Sequence, residues 1–177
     1  SQANDIRDFQ IEGMSLGDSA LNYFSEKQIL GNKAPYYKNS NNKFSTSEFW
    51  NFRNSYSGNL YDVVSISYIS SDNKYILKGI TGMLRYDNNI NDCYKKMEEV
   101  KESLMESLSD IIPKQKVTNK NSSHGVYTYI SFIFESGDEI SISCYDYDNS
   151  KYSYTDVFRL SFETKEFRYW IDNIAYK

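Results

Sequence analysis

Residues 90–112 read INDCYKKMEEVKESLMESLSDII, and their apolar side chains return at every third or fourth position. In an α-helix this spacing gathers the apolar side chains on one side and leaves Lys and Glu on the other. Asn89 is a suitable N-cap, and Pro113 cannot continue a helix. The pattern predicts a long helix that packs on a core through Ile90, Cys93, Met97, Val100, Leu104, Leu108 and Ile111.

Segments rich in Val, Ile and Tyr lie on both sides of this helix and are typical of β-strands. The turn residues at 71–73 (Ser-Asp-Asn) and 136–138 (Ser-Gly-Asp) join neighbouring segments, which predicts two hairpins. Gly79 and Gly82 lie inside a strand and predict a bulge or a close backbone approach. The predicted strands are residues 61–69, 75–86, 126–135, 139–147 and 154–162.

Short helices are predicted at both ends of the chain. Residues 16–24 have a helical apolar spacing with Ser15 as N-cap, and residues 25–30 add a second turn that Gly31 ends. At the C-terminus, Thr164 is a suitable cap for a last helix. Its apolar stripe consists of Phe167, Trp170, Ile171 and Ile174.

Two stretches are less regular. Residues 44–57 are aromatic and fit either a strand or a loop, and residues 114–124 are polar and predict a loop. The element order predicts an α+β fold in which one antiparallel sheet, or two half-sheets, carries the long helix on one face. The length of 177 residues fits a single domain, 1–177, with possible halves at 1–88 and 89–177.

The charge pattern excludes some classes of partner. The net charge is −4, and Lys114, Lys116 and Lys120 are the nearest approach to a basic cluster. Nucleic-acid binding needs clustered Lys and Arg to neutralise phosphates, so no nucleic-acid partner is expected. No stretch approaches 18 consecutive apolar residues, so no transmembrane segment is expected either.

The aromatic content is high, with 17 Tyr, 10 Phe and 2 Trp. Tyrosines on adjacent predicted strands can form a half-exposed aromatic face, because the side chain combines an apolar ring with a polar tip. Such a face can seat a protein partner or stack sugars. Core-edge packing and an AT-rich codon bias explain the same residues without a binding role. The predicted binding residues are Tyr127, Tyr129, Tyr145, Tyr147, Tyr152 and Tyr154.

Two features predict an exported protein. Ser1-Gln2-Ala3 resembles the end of a signal-peptide cleavage region, although an expression-tag remnant would look the same. Cys93 and Cys144 can form one disulfide between the long helix and a strand, which oxidising compartments favour. Two buried free thiols are the alternative. The expected location is therefore the periplasm or the extracellular medium.

Catalytic and metal sites are not indicated. Residues 17–21 (GDSAL) resemble the Gly-Asp-Ser block of a lipase-esterase family, which implies Ser19 as a nucleophile. His124 is the only histidine, and the family's Asp-x-x-His block is absent, so a helix cap explains these residues better. Residues 145–149 lack the Gly and Glu of a calcium loop and predict a turn. No metal, cofactor or enzymatic activity is expected.

Residues 11–18, IEGMSLGD, resemble the start of the SmpA/OmlA small outer-membrane lipoproteins and the β-lactamase-inhibitor-like proteins. In those families a Gly-Met-Ser/Thr turn opens a short helix in an exported α+β domain. The lipoprotein cysteine is absent, and Gly31-Asn32-Lys33-Ala34-Pro35 is only loosely like the Gly-x-Pro that follows there. The chain also looks like other small exported bacterial proteins.

The resemblance implies that the chain acts by binding another protein and not by catalysis. A protein-binding or assembly module is therefore the first functional prediction. An aromatic-lined site for a carbohydrate or small ligand is the alternative, and a serine hydrolase is the remote one.

Overall fold

The computed structural model describes residues 5–37, 42–108, 114–148, 150 and 153–176, with residues 114–120 and 122 described through their backbone only. Seven strands form one antiparallel sheet in the order β1-β2-β3-β7-β6-β5-β4. The strands are β1 (Phe44–Trp50), β2 (Val63–Ile69), β3 (Gly79–Arg85), β4 (Lys114–Ser122), β5 (Gly125–Ile133), β6 (Glu139–Tyr147) and β7 (Val157–Glu163).

Within the described residues, four α-helices accompany the sheet, so the α+β prediction is confirmed. They are α1 (Glu26–Gly31), α2 (Phe52–Ser55), α3 (Ile90–Ser107) and α4 (Lys165–Asn173). Single 3-10 turns form at Ile6–Asp8 and Ala20–Asn22. Among the described residues, no helix combines the length and the apolar character that crossing a bilayer requires. Strands β3 and β7 pair with each other, so strands from both predicted halves share the sheet.

One face of the sheet, here called the core face, is apolar and covered. Alternate residues of the inner strands point into it, because successive side chains of a strand face opposite ways. Helix α3 and the N-terminal segment up to α1 pack on this face. The buried strand residues of the core face include Ile66, Ile80, Phe158, Leu160, Ile142 and Phe132.

Helix α3 confirms the long-helix prediction. Asn89 caps it by accepting the N–H of Asp92, and Met97 and Leu104 of its stripe are buried. The helix ends at Ser107, earlier than predicted, and the predicted stop at Pro113 lies outside the described residues. A disulfide between Cys93 and Cys144 joins the helix to β6 in the core.

The loop predicted at residues 114–124 is wrong, because residues 114–122 form strand β4 at one edge of the sheet. The strand pairs with β5 over its whole length, from Lys114 opposite Ile133 to Ser122 opposite Gly125. Lys and Asn are poor strand formers, but the backbone hydrogen bonds to β5 hold this segment in an extended conformation. Charged residues are also common in strands at the edge of a sheet. Lys114, Lys116 and Lys120 therefore lie in a strand.

The helix predicted at residues 16–24 is also wrong. Gly17 has a φ of +91°, which a right-handed helix does not allow. Its N–H donates to the carbonyl of Leu77, and Ser19 forms a β-bridge with Ile76. The backbone of this segment therefore pairs with residues 76–77 and does not form the hydrogen bonds of a helix. The hydroxyl of Ser19 caps only the 3-10 turn. The next predicted turn is confirmed as α1, where Ser25 and Gln28 form a capping box.

The aromatic stretch 44–57 divides into strand β1 and the short helix α2. The close approach predicted at the two glycines of β3 is confirmed. A Cβ on Gly82 would lie 2.7 Å from the ring of Tyr61, and one on Gly79 would lie 2.8 Å from the ring of Phe167. The pairing of β3 with β2 and β7 runs without a bulge.

Helix α4 confirms the C-terminal prediction, with Thr164 as its N-cap. It packs on the second face of the sheet, where Phe167 and Trp170 enclose Phe44. This second face, called the open face, also carries four of the tyrosines predicted to bind, Tyr127, Tyr129, Tyr145 and Tyr147.

Candidate functional site

Five hydroxyl side chains, here called the hydroxyl row, cross the open face on adjacent strands. The register places each opposite the next, and Thr81 and Ser161 are hydrogen-bonded at 2.9 Å. These residues alternate with core residues along each strand, which is why small polar side chains face away from the core. The row consists of Ser65, Thr81, Ser161, Ser141 and Ser131.

Five of the six predicted tyrosines meet beside this row, and we call them the tyrosine cluster. Tyr127 and Tyr145 lie opposite each other on β5 and β6, with ring centroids 4.7 Å apart and planes 11° apart. Tyr129 stacks on Tyr127 at 6.0 Å, and Tyr147 stacks on Tyr145 at 5.6 Å. The fifth member is Tyr154, 5.2 Å from Tyr147. Tyr152 lies outside the described residues.

The tyrosine cluster is not part of the core. Its four strand members are half-buried, and Tyr154 is 51% exposed. The guanidinium of Arg159, on the neighbouring strand β7, lies 4.9 Å from the centroid of the Tyr145 ring. Because the rings of the strand members face one another, they present mainly their edges and hydroxyl groups outward.

A cleft of about 650 Å³ lies between the tyrosine cluster and helix α4, and four members of the hydroxyl row, Ser65, Thr81, Ser161 and Ser141, line it. The far wall contains Tyr36, Tyr37 and Tyr176. Tyr37 is fixed by a 2.9 Å hydrogen bond to Thr46 and by an edge contact with Trp170. Burial raises the pKa of Tyr37 to about 12, so its hydroxyl stays protonated at neutral pH.

Two glutamates stand opposite each other at the α4 end of the cleft, Glu139 on β6 and Glu163 on β7. Arg168 of α4 donates to Glu163 at 3.2 Å and to Asp172 at 2.6 Å. Ser131 donates to Glu139 at 2.6 Å. Burial raises the pKa of Glu163, and the neighbouring Glu139 adds to this, although Arg168 opposes both. The cleft is therefore lined by positively charged arginines, by acidic side chains and by hydroxyl groups.

The residues of the remote hydrolase prediction belong to different elements. The hydroxyl of Ser19 donates to the carbonyl of Lys74 at 2.6 Å and accepts the N–H of Leu21. His124 lies in the turn between β4 and β5, with its Nδ1 3.0 Å from the hydroxyl of Ser123. In the part of the chain that the structure describes, no group of three or more His, Cys, Asp or Glu could hold a metal ion.

The sequence patterns missed several residues of the cleft. The alternation of Ser141 and Ser143 with apolar residues marks outward positions on β6, and that signal was available. No local pattern predicts that Arg159 lies against Tyr145, because the sequence does not fix the register in which β7 pairs with β6. The contribution of Tyr36 and Tyr37 depends on a segment far away in sequence.

Comparison of the chain with protein-family models, curated proteins and solved structures finds no match. The resemblance of residues 11–18 to the SmpA/OmlA and β-lactamase-inhibitor-like proteins therefore stays a prediction.

Proposed function

We propose that this chain is a binding module that holds another protein on its open face. The observation that carries the proposal is the tyrosine cluster, whose members are half-buried or exposed on the open face and do not belong to the core. Tyrosines give a large contact area at low conformational cost, because only two side-chain torsions are fixed on binding. The hydroxyl row and the charges of the cleft supply directional contacts around them.

The ring geometry favours a protein over a sugar as the ligand of the cluster. A pyranose stacks on an exposed aromatic face, whereas Tyr127 and Tyr145 cover each other's faces at 4.7 Å. Tyrosine edges and hydroxyls instead suit the mixed apolar and polar surface of a protein, and tyrosine is enriched in such interfaces. The partner would lie across the cluster and the mouth of the cleft.

Site-specific photo-crosslinking tests this proposal with a matched pair of tyrosines. A benzophenone side chain replaces either Tyr154, 51% exposed in the cluster, or Tyr169, 64% exposed on α4 and not lining the cleft. Each protein is irradiated with secreted or periplasmic extract of the source cells. We expect one discrete adduct from position 154 that position 169 does not give. Identical adducts from both positions, or none from position 154, would contradict the proposal.

A small polar ligand in the cleft is the second candidate. The volume of about 650 Å³ is that of an ordinary ligand site, and the hydroxyl row with Arg159 and Glu163 provides convergent polar groups. A thermal-shift screen of glycans and metabolites separates the two candidates. A saturable rise in melting temperature that Tyr127→Ser or Ser161→Ala removes would favour this second function.

We also propose that the protein works in an oxidising compartment, outside the cytoplasm. The disulfide between Cys93 and Cys144 supports this location, because such bonds persist mainly in exported proteins. Native cells are lysed into a thiol-alkylating reagent, and the intact mass of the protein is measured. We expect no alkyl group on either cysteine before reduction and two after it. Alkylation before reduction would contradict the proposal.

A further inference from the structure

One side-chain nitrogen of the arginine at the centre of the open face has no acceptor among the described residues. Arg159 lies on β7, the middle strand of the seven, and lines the cleft. Its Nε is buried, and no hydrogen-bond acceptor for it lies among the described residues. The centre of its guanidinium lies 4.9 Å from the centroid of the Tyr145 ring, a cation–π contact that does not occupy the N–H of Nε. Arginine keeps its charge at any physiological pH, so these donors favour an anion.

The carboxylates that line the same cleft have other donors, so none of them explains the position of Arg159. This distribution leaves the arginine available to a ligand. Arg168 donates to Glu163, Ser131 donates to Glu139, and the indole N–H of Trp50 donates to Glu48.

We propose that Arg159 binds one carboxylate group of the partner protein, from an Asp or Glu side chain or from a chain end. The inference rests on the proposed function, because it names the chemistry by which the open face recognises its partner. A guanidinium carries its N–H donors in a planar fork, and that fork matches the two oxygens of a carboxylate.

The charge balance of the cleft favours a carboxylate over a phosphate. Two arginines line the cleft, and the carboxyl groups of Glu48, Glu139, Glu163 and Asp172 line it as well. A dianion would meet more repulsion from these groups than a single negative charge would. A singly charged carboxylate at Arg159 would meet about half the repulsion that a dianion would meet at the same place.

Nitrogen-15 NMR of the whole protein tests the inference directly. The Nε–H resonance of Arg159 is identified by its loss in Arg159→Gln, and its burial slows exchange with water. The protein is titrated with sodium acetate, with inorganic phosphate and with sodium chloride at matched ionic strength. We expect a saturable shift with acetate, at lower concentration than with phosphate, and a smaller one at Arg168, whose Nε already donates to Asp172 at 3.0 Å.

The inference is wrong if the Arg159 resonance follows total salt without saturating, or if phosphate saturates it before acetate does. A partner captured through position 154 gives a second test. We expect Arg159→Gln to weaken that complex at least about tenfold. The affinity of Arg159→Lys should lie between those of the wild type and Arg159→Gln, because lysine keeps the positive charge but cannot form the two parallel hydrogen bonds of a guanidinium. If the complex forms equally well with Arg159→Gln, the carboxylate inference fails and the proposed function stands. If acetate saturates Arg159 but no partner cross-links, the protein partner is wrong.

Discussion

Glu12 ties the N-terminal segment to the chain that enters β2. Its two carboxylate oxygens accept the backbone N–H groups of Asn59, Leu60 and Tyr61 at 2.8, 2.7 and 2.8 Å. Partial burial raises the pKa of this carboxyl, but the three hydrogen bonds outweigh burial, so the pKa lies below its ordinary value. A carboxylate that accepts three N–H groups stabilises the folded chain through its charged form.

Replacing Glu12 with Gln tests this anchor. We expect the free energy of unfolding at pH 7 to fall by about 1–3 kcal/mol, the usual cost of losing hydrogen bonds to a charged acceptor. In the wild type this contribution is complete above pH ~4.3 and disappears as the pH falls through the lowered pKa, since the unfolded chain binds the proton first. Urea unfolding at several pH values measures both effects.

The control for Glu12 is Glu102→Gln on the exposed side of α3, where we expect a change within about 0.5 kcal/mol. Equal effects of the two substitutions would show that the three backbone contacts do not stabilise the fold.

Glu163 provides a test in the opposite pH direction. Burial raises its pKa, so the folded protein should hold this proton to a higher pH than the unfolded chain does. Stability should therefore fall as the pH rises from ~4.3 through the raised pKa, and Glu163→Gln should flatten that decline. Carboxyl carbon-13 NMR measures the titration midpoint of Glu163, which we expect to lie above the ordinary value of a glutamate carboxyl. A midpoint at or below that ordinary value would contradict the burial argument.

At the scale of the elements, the close packing of β3 explains a glycine that the hairpin pattern alone would not require. A methyl group on Gly82 would lie 2.7 Å from three atoms of the Tyr61 ring, and that ring is buried. We expect Gly82→Ala to reduce the free energy of unfolding by about 1–3 kcal/mol, the usual cost of overpacking. Denaturant unfolding checks this.

Gly31→Ala at the end of α1 is the matched control, because no atom lies within 4 Å of its added methyl group and its φ is ordinary. We expect it to be neutral or stabilising. If Gly31→Ala lost as much stability as Gly82→Ala, the cost would come from replacing any glycine and not from the contact with Tyr61.

The disulfide joins two elements that already pack together, helix α3 and strand β6. Cys93 and Cys144 are 51 positions apart, so their bond removes much freedom from the unfolded chain. We expect Cys93→Ala with Cys144→Ala to cost about 2–4 kcal/mol, as loop closure predicts. Thermal unfolding of the wild type with and without reductant gives the comparison. Equal melting temperatures with and without reductant would contradict the expected contribution of the disulfide to stability.

At the scale of the whole molecule, the sequence predicts helices and strands better than it predicts which strands pair with each other. The stripe of α3 and the strand composition of residues 139–147 are local patterns, and both elements appear in the fold as predicted. Strand β4 could not be predicted from its Lys and Asn residues, because its pairing comes from β5. The strand order that brings β3 beside β7 depends on contacts across the whole chain, which no local pattern contains.

The candidate site shows the same division. Four tyrosines of the cluster, Tyr127, Tyr129, Tyr145 and Tyr147, were predicted because they lie on strands that follow each other in sequence. The cleft itself was not predicted, because its second wall comes from α4 and from Tyr36 and Tyr37. Arg159 reaches the tyrosine cluster only through the pairing of β7 with β6.

The central claim is that the open face holds a protein partner through the tyrosine cluster. The most direct measurement is the dissociation constant of the cross-linked partner for the wild type, Tyr145→Ser and Tyr169→Ser, with circular dichroism to confirm that each variant folds. Tyr145 lies at the centre of the cluster and should act as a binding hot spot, so we expect Tyr145→Ser to weaken binding at least about tenfold. Tyr169→Ser should leave the dissociation constant unchanged. Equal affinities of the wild type and Tyr145→Ser would contradict the account.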